Sequence, residues 1–413
     1  MSDPSLAVPR SALGHLRIDA FTVRGYRLLW SANLSWNVGR WMEQVAVGWI
    51  ALELTGSPFL VALVGFYRSL PLFLLGTFGG VLGDRYDRRR LMLSLQLVNV
   101  TTVGTLAILY LVGRSSYLDL AICELILGTS MAFDWPSRRS LTVDLVGRGR
   151  ITNAVAMDAT GMNVSRTAGP LLSGFVIDIF SPGIALAMLA GLYLLNAILI
   201  WQVPQPSAQL VAKGRGVWHN LLDGFGEVLK DQAIVGVLAI TVAMNLLFFP
   251  YQQLLPVVAV NVLGIGSVGL GALAAADGVG SLAGTLLIAV VAPHRRNGLY
   301  FWVGSIIGAS ALIAFSFQRS FAIAVALLAI GGFFRASFSA FQAAIILRKS
   351  SDKMRGRAMG ILTLAIGVGP FGTLEIGALA QAFGTPTAIL VDATICVVLV
   401  ATIGARLKRF REA

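Results

Sequence analysis

The chain is 413 residues long, 56% hydrophobic and only 13% charged, with a mean hydropathy of +0.78. An apolar share so far above that of ordinary soluble domains excludes a water-soluble enzyme and makes lipid the solvent. The net charge of +12 does not point to nucleic acid, because the 32 Lys and Arg residues are segregated along the chain.

Segments 1–27, 83–90, 138–150, 204–232, 293–298, 347–357 and 406–413 hold nearly all of these cations. The intervening turns hold only Arg114 and Arg319, while Arg40, Arg68, Arg166 and Arg335 fall inside apolar runs. By the positive-inside rule both termini are expected in the cytoplasm. Residues 1–27 lack the apolar core and cleavage site of a signal peptide and are expected to be retained.

The first apolar run, 28–52, is long enough to span a bilayer. It carries Arg40 and Glu43 at i, i+3, on one face, where they could pair with each other or exchange with a proton or substrate. Glu43 is the leading candidate for proton coupling, with a static ion pair as the alternative. Trp30 and Trp49 lie near the ends of this run and suit interfacial anchors, whereas Trp36 and Trp41 are deeper and suit a cavity wall that stacks on an aromatic or cationic substrate.

A second run, 58–82, leaves through Gly79-Gly80-Val81-Leu82-Gly83-Asp84-Arg85-Tyr86-Asp87-Arg88-Arg89-Arg90, a glycine-rich exit followed by dense charge. This loop resembles the signature between helices two and three of the major facilitator superfamily, with Gly80, Asp84, Arg85, Arg88 and Arg89 on its pattern and Asp87 where glycine is usual. The resemblance implies a cytoplasmic gate latch, in which Asp84 caps the eleventh helix near Gly356–Gly360 and Arg88 pairs with Asp134 at the inner end of the fourth. A plain topogenic basic loop is the other reading. Leu54-Thr55-Gly56-Ser57-Pro58, Ile151-Thr152-Asn153-Ala154, Arg166 with Gly169-Pro170, and Arg355-Gly356-Arg357-Ala358-Met359-Gly360 are similar to the enterobactin-exporter-like branch, whose members are bacterial exporters of siderophores, drugs and other small molecules.

Runs at 91–112, 118–137, 153–179 and 184–203 complete a first set of six. In the fifth, Ala156, Ser165, Gly169, Pro170, Ser173 and Gly174 are similar to the antiporter signature of the superfamily, with small residues in place of three glycines, and they also suit ordinary close helix packing. Asp158 and Arg166 stand two turns apart on one face of the same run.

The polar stretch 204–232 reads as a linker between halves, part of which could lie on the membrane as an amphipathic helix. Runs at 233–262, 267–292, 299–317, 321–346, 357–383 and 386–406 follow, then a basic tail at 407–413. Gly369-Pro370 repeats Gly169-Pro170 at about half a chain's distance, as duplication of a six-helix unit would leave it. Asp277, Arg335, Glu375 and Asp392 are the ionisable residues inside the later runs, and such groups are functional candidates by default. Arg68 and Glu124 suit partial burial against a neighbouring helix at least as well as a functional role, and are left out of the candidate site. Gly264, Gly266 and Gly269 match a dinucleotide fingerprint by spacing alone, without the strand that it needs.

The expected fold is all-α and integral to the membrane, with twelve transmembrane helices in two pseudo-symmetric six-helix bundles, 28–203 and 233–406. The expected function is proton-coupled efflux of a small molecule by alternating access, from a bacterial inner membrane, by a monomer without cofactor or metal. An importer or uniporter of the same fold, or a receptor or scaffold that does not transport, is the alternative. No catalytic triad or nucleotide-binding loop is present, and Cys123 and Cys396, both in apolar runs, read as packing residues.

Overall fold

The computed structural model describes residues 19–85, 87–205, 231–291, 296–351, 355–407 and 410, with side chains at all of these but 77–85, 148 and 289. Among them there is helix and no strand. The helices are α1 (Arg24–Thr55), α2 (Pro58–Arg85), α3 (Arg88–Leu111), α4 (Tyr117–Val146), α5 (Ile151–Ile179) and α6 (Pro182–Gln202). They continue with α7 (Gln232–Val262), α8 (Ser267–Val291), α9 (Asn297–Ser316), α10 (Phe321–Lys349), α11 (Arg355–Phe383) and α12 (Thr385–Arg406). The expected amphipathic segment of the linker lies outside the described residues.

Nine of these helices are both long and apolar enough to cross a membrane. The other three, α1, α4 and α5, are 32, 30 and 29 residues long, so length is not what sets them apart. They carry charge: Arg40 and Glu43 on α1, Glu124, Asp134 and Arg138 on α4, Asp158 and Arg166 on α5. Outward faces are apolar instead, with Ile108 of α3 64% exposed and Leu118 of α4 66% exposed. Such a surface would aggregate in water and is the lipid-facing surface of a multi-pass membrane protein.

The helix α4 runs on to Val146, past the expected end near 137. The reason is Arg138, read from sequence as part of a basic loop. It is buried, and its guanidinium donates to Asp134 Oδ2 (2.7 Å), Asn33 Oδ1 (2.9 Å) and Asn196 Oδ1 (3.0 Å), so continuing the helix satisfies the group internally.

The two Gly-Pro pairs differ in outcome. Pro170 sits within a continuous α5, whereas α11 is helical over Arg355–Ile366 and Gly369–Phe383 with a turn between, ending its first part at the residue whose carbonyl the Pro370 ring would meet. The middle of α7 is more irregular, passing through π geometry at Met244–Phe248, 3-10 geometry at Phe249–Leu254 and π again at Val258–Val262. Pro250 and Pro256 each lack a backbone N–H there, and such irregular turns are tolerated at membrane depth where protein surrounds them.

Within α1 to α6, α1 packs on α5 and α6, α2 on α4, and α3 on α4 and α6. Within α7 to α12, α8 packs on α10, α9 on α10 and α12, and α11 on α12. The two sets meet chiefly where α5 crosses α8 and α2 crosses α11. Small residues set both crossings. A Cβ on Gly271 would lie 2.6 Å from the Pro170 carbonyl oxygen, and one on Gly377 would lie 2.6 Å from the Ala62 methyl. At the end opposite the termini the Ser57 hydroxyl donates to Gln381 Oε1 (2.8 Å), joining the α1–α2 turn to α11.

Candidate functional site

Between the two sets lies a narrow cleft walled by Trp41 and Gln44 of α1, Arg166 and Pro170 of α5, Tyr251 and Pro256 of α7, and Asp277 of α8. Its charged centre is Asp277, 4% exposed. Arg335 of α10 donates to both of its oxygens, Nε to Oδ1 (3.1 Å) and Nη2 to Oδ2 (3.2 Å), in the bidentate geometry that suits a guanidinium. Arg166 Nη2 reaches the same Oδ2 at 2.5 Å from the other side of the cleft. Two guanidiniums therefore share one carboxylate, and the second positive charge is spread over ring faces: Arg166 lies 4.8 Å from the Trp41 ring and Arg335 5.9 Å from that of Phe249.

The opposite imbalance sits within α1 to α6. Glu43 of α1, 1% exposed, pairs with Arg68 of α2, whose Nη1 is also 3.5 Å from Glu124 Oε2 on α4. Tyr193 of α6 donates its hydroxyl to Glu43 Oε2 (2.6 Å), and Glu124 Oε1 is buried without a hydrogen-bond partner among the described residues. Two buried carboxyl groups here share one guanidinium, an arrangement that leaves a charge uncompensated unless one of them holds a proton.

A third group joins Asp134, which accepts from Gln96 Nε2 (3.2 Å) as well as from Arg138, whose guanidinium lies 4.9 Å from the Trp36 ring. Arg40 lies over the rings of Trp36, Trp41 and Trp135, at 6.0, 5.3 and 5.4 Å. Trp36 and Trp41 of α1 thus lie against guanidiniums, while the Trp30 indole N–H donates to the Met157 carbonyl (3.0 Å) near the start of α1.

Several sequence expectations change. Arg40 and Glu43 do not pair: Glu43 turns to Arg68 and Tyr193, and Arg40 to the tryptophans. Asp158 and Arg166 share a helix but not a site, since Asp158 accepts from the hydroxyls of Tyr26 (3.2 Å) and Thr142 (3.4 Å). Arg88 does not meet Asp134. It pairs with Asp144, about 15 Å further along α4 at the helical rise, while Asp134 is held deep by Arg138. Arg89 donates to the carbonyls of Ile200 (3.2 Å) and Trp201 at the end of α6.

Gly80, Asp84 and Arg85 fall in the last turns of α2, and the expected contact of Asp84 with α11 lies outside the described side chains. Asp87, which departs from the glycine usual there, is the N-cap of α3, accepting from the Arg90 N–H at 3.2 Å. Within the small-residue set of α5, Gly169 backs onto α1, where a Cβ would lie 2.7 Å from that of Trp41, and the buried Ser165 hydroxyl reaches the Leu34 carbonyl at 3.5 Å. Pro170 and Gly174 back onto α8, and Ser173 is buried. Ala156 is exposed, so close packing does not explain it. Glu375 stands apart from the central cluster, beside Asp392 of α12.

Sequence reasoning missed Arg68, Glu124 and Tyr193, and it took Arg138 for a loop cation. One of these had a usable signal, Arg68, alone among charged residues in its apolar run; Glu124 shares its run with Asp119 and Asp134, and the proximity of the two had none. Among the described residues no His, Cys, Asp and Glu group is arranged to hold a metal, and both cysteines are buried. Gly264, from the apparent dinucleotide fingerprint, has φ +63° and serves the turn between α7 and α8.

A family model described as transmembrane secretion effector matches residues 11–413. The chain is 21% identical over 377 residues to the Staphyloferrin A transporter of Staphylococcus aureus, covering 88% of this chain and 92% of that one. It is 25% identical over 345 residues to the Enterobactin exporter EntS of Shigella flexneri, covering 81% and 80%. Among solved structures, a bacterial homologue of the human lysosomal transporter Spinster, inward-facing and unoccupied, aligns with a TM-score of 0.73 at 14% identity over 97% of this chain and 100% of that one.

Proposed function

Because the chain belongs to the transmembrane secretion effector family of the major facilitator superfamily, we propose that it exports a small molecule across a bacterial inner membrane, driven by protons moving inward. In this reading α1 to α6 and α7 to α12 are two six-helix bundles, 28–203 and 233–406, joined by the linker 204–232, with both termini in the cytoplasm. The unit is a monomer. The bundles rock about the central cleft, and substrate held there is exposed to each side in turn.

The observation that carries the proposal is the sharing of Asp277 between Arg335 of its own bundle and Arg166 of the other. Only the Arg166 bond crosses the boundary, so it can open while Arg335 keeps the carboxylate paired. Opening therefore does not strand a buried acid, and the two arrangements differ by one charge-assisted bond, as a two-state element needs.

Glu43 with Arg68 and Glu124 is the proton site. When the site is sealed a proton on one carboxyl balances the charge, and when it opens to water the proton can leave. In cells lacking their own exporters, the wild-type chain is expected to lower accumulation of some compound only while the proton gradient stands. Insertion without gradient-dependent movement of any compound would overturn export and favour a receptor or scaffold, and gradient-dependent uptake would favour an importer.

A further inference from the structure

Apart from Glu124, which only Arg68 approaches, at 3.5 Å, the carboxylates around the cleft are already engaged. Asp277 holds Arg166 and Arg335, Asp134 holds Arg138, Glu43 holds Arg68, and Asp158 accepts from Tyr26 and Thr142. Arg40 is left over. It sits mid-way along α1, part-exposed, and among the described residues it has no acid and no hydrogen-bond partner; its contacts are the rings of Trp36, Trp41 and Trp135. The charges acting on it across the interior are two further guanidiniums, Arg68 and Arg166.

A guanidinium keeps its charge, and ring faces replace only part of the hydration that it gives up. Its five N–H donors make a planar fork that matches a carboxylate, sulfonate or phosphate, and among the described residues nothing fills that fork. Of the indoles around it, Trp36 is buried, while Trp41 and Trp135 are part-exposed and offer flat apolar surface at the same place. A cationic compound would meet the uncompensated charge of Arg40 before it could use those rings, because Arg68 and Arg166 already have carboxylates and Arg40 has none among the described residues.

We propose that Arg40, with Trp41 and Trp135, forms the anion-binding subsite of the cavity, taking an organic anion whose acid group rests in the Arg40 fork and whose ring or apolar body lies against the indoles. The subsite rests on the export reading for its purpose, but its chemistry is testable without transport. It also reverses one sequence-based option, that the tryptophans stack on a cation.

The test is isothermal titration calorimetry on the purified full chain in detergent with three probes of one shape: 2-naphthoate, neutral 2-naphthamide and 2-naphthyltrimethylammonium. The anion is expected to bind at least tenfold more tightly than the amide, with no measurable heat from the cation. Arg40→Gln is expected to weaken 2-naphthoate at least tenfold with the thermal unfolding midpoint and elution volume unchanged, and Arg40→Lys to recover part of the loss. Arg114→Gln, in the turn between α3 and α4, is the control and should leave binding as in the wild type. Equal or tighter binding of the amide or cation, absence of binding by all three, or 2-naphthoate binding untouched by Arg40→Gln would each overturn the subsite. Anion binding without any gradient-driven flux would instead leave the subsite standing and sink the export reading.

Discussion

Asp277 of α8 holds Arg166 of α5 at 2.5 Å while Arg335 of α10 grips the same carboxylate at 3.1 and 3.2 Å. The two bonds fail differently when cut. Arg166→Gln removes the crossing bond and leaves Asp277 with Arg335, so export is expected to fall at least tenfold with little change in thermal stability. Asp277→Asn leaves two buried guanidiniums without a carboxylate, which costs about 3–5 kcal/mol. It should lower the unfolding midpoint as well as abolish export. Thermal unfolding and accumulation assays on both variants separate the outcomes, and equal loss of stability in both would count against a bond that opens.

Glu43→Gln should uncouple the protein from the gradient. The amide oxygen can still accept from one of Tyr193 and Arg68, but the group cannot exchange a proton, so efflux that survives is expected to be insensitive to an uncoupler, with substrate binding kept. Glu124→Gln, which removes the carboxyl whose Oε1 has no partner, should act in the same direction. If both variants retain uncoupler-sensitive efflux, the proton site lies elsewhere, and Glu375 beside Asp392 is the next pair of carboxyl groups to exchange for amides.

Much of the architecture was legible because lipid imposes it. Spans follow from runs of apolar residues, and Trp36 and Trp41, set down from their depth as candidates for a cavity wall, lie over Arg138 and Arg40. Pairing of the charges was not legible, because partners in a helical protein lie on different helices. Spacing on α1 offers Arg40 and Glu43 to each other, yet the shorter reach for Glu43 is to Arg68, 25 residues on and a helix away. The same limit explains Asp134. A resemblance to a known loop supplies its partner as Arg88, whereas the arginine one turn along its own helix, Arg138, takes the carboxylate and with it the end of the span. Gly174 and Gly271 could be recognised as small but not as facing each other.

That facing is itself testable. A Cβ at Gly174 would overlap the Ser267 carbonyl oxygen and come within 3.1 Å of the Gly271 Cα, both backbone atoms that cannot swing away. Gly174→Ala gains about 1 kcal/mol of helix propensity, and the overlap is expected to outweigh it. The variant should unfold at lower temperature, and Gly174→Val should also part the two sets of helices near the turn between α1 and α2. A cross-link through Ser57→Cys and Gln381→Cys, placed where those side chains are hydrogen-bonded, should form readily in the otherwise native chain and poorly beside Gly174→Val. Undiminished cross-linking would mean that α5 and α8 absorb the added volume locally.

The end that carries the termini offers a last comparison, between Asp144, which meets Arg88, and Asp134, which does not. Asp144 is exposed and a pair of that kind contributes about 0–1 kcal/mol. Asp144→Asn should therefore leave the unfolding midpoint nearly unchanged. If the pair is a latch broken in each cycle, export falls severalfold, and exchanging the charges by Arg88→Asp with Asp144→Arg recovers it. Asp134→Asn strands Arg138 in a buried network and should lower stability by about 3–5 kcal/mol, with no recovery from any change at Arg88. Recovery by Arg88→Asp with Asp134→Arg, but not with Asp144→Arg, would restore the pairing that the loop's resemblance implies.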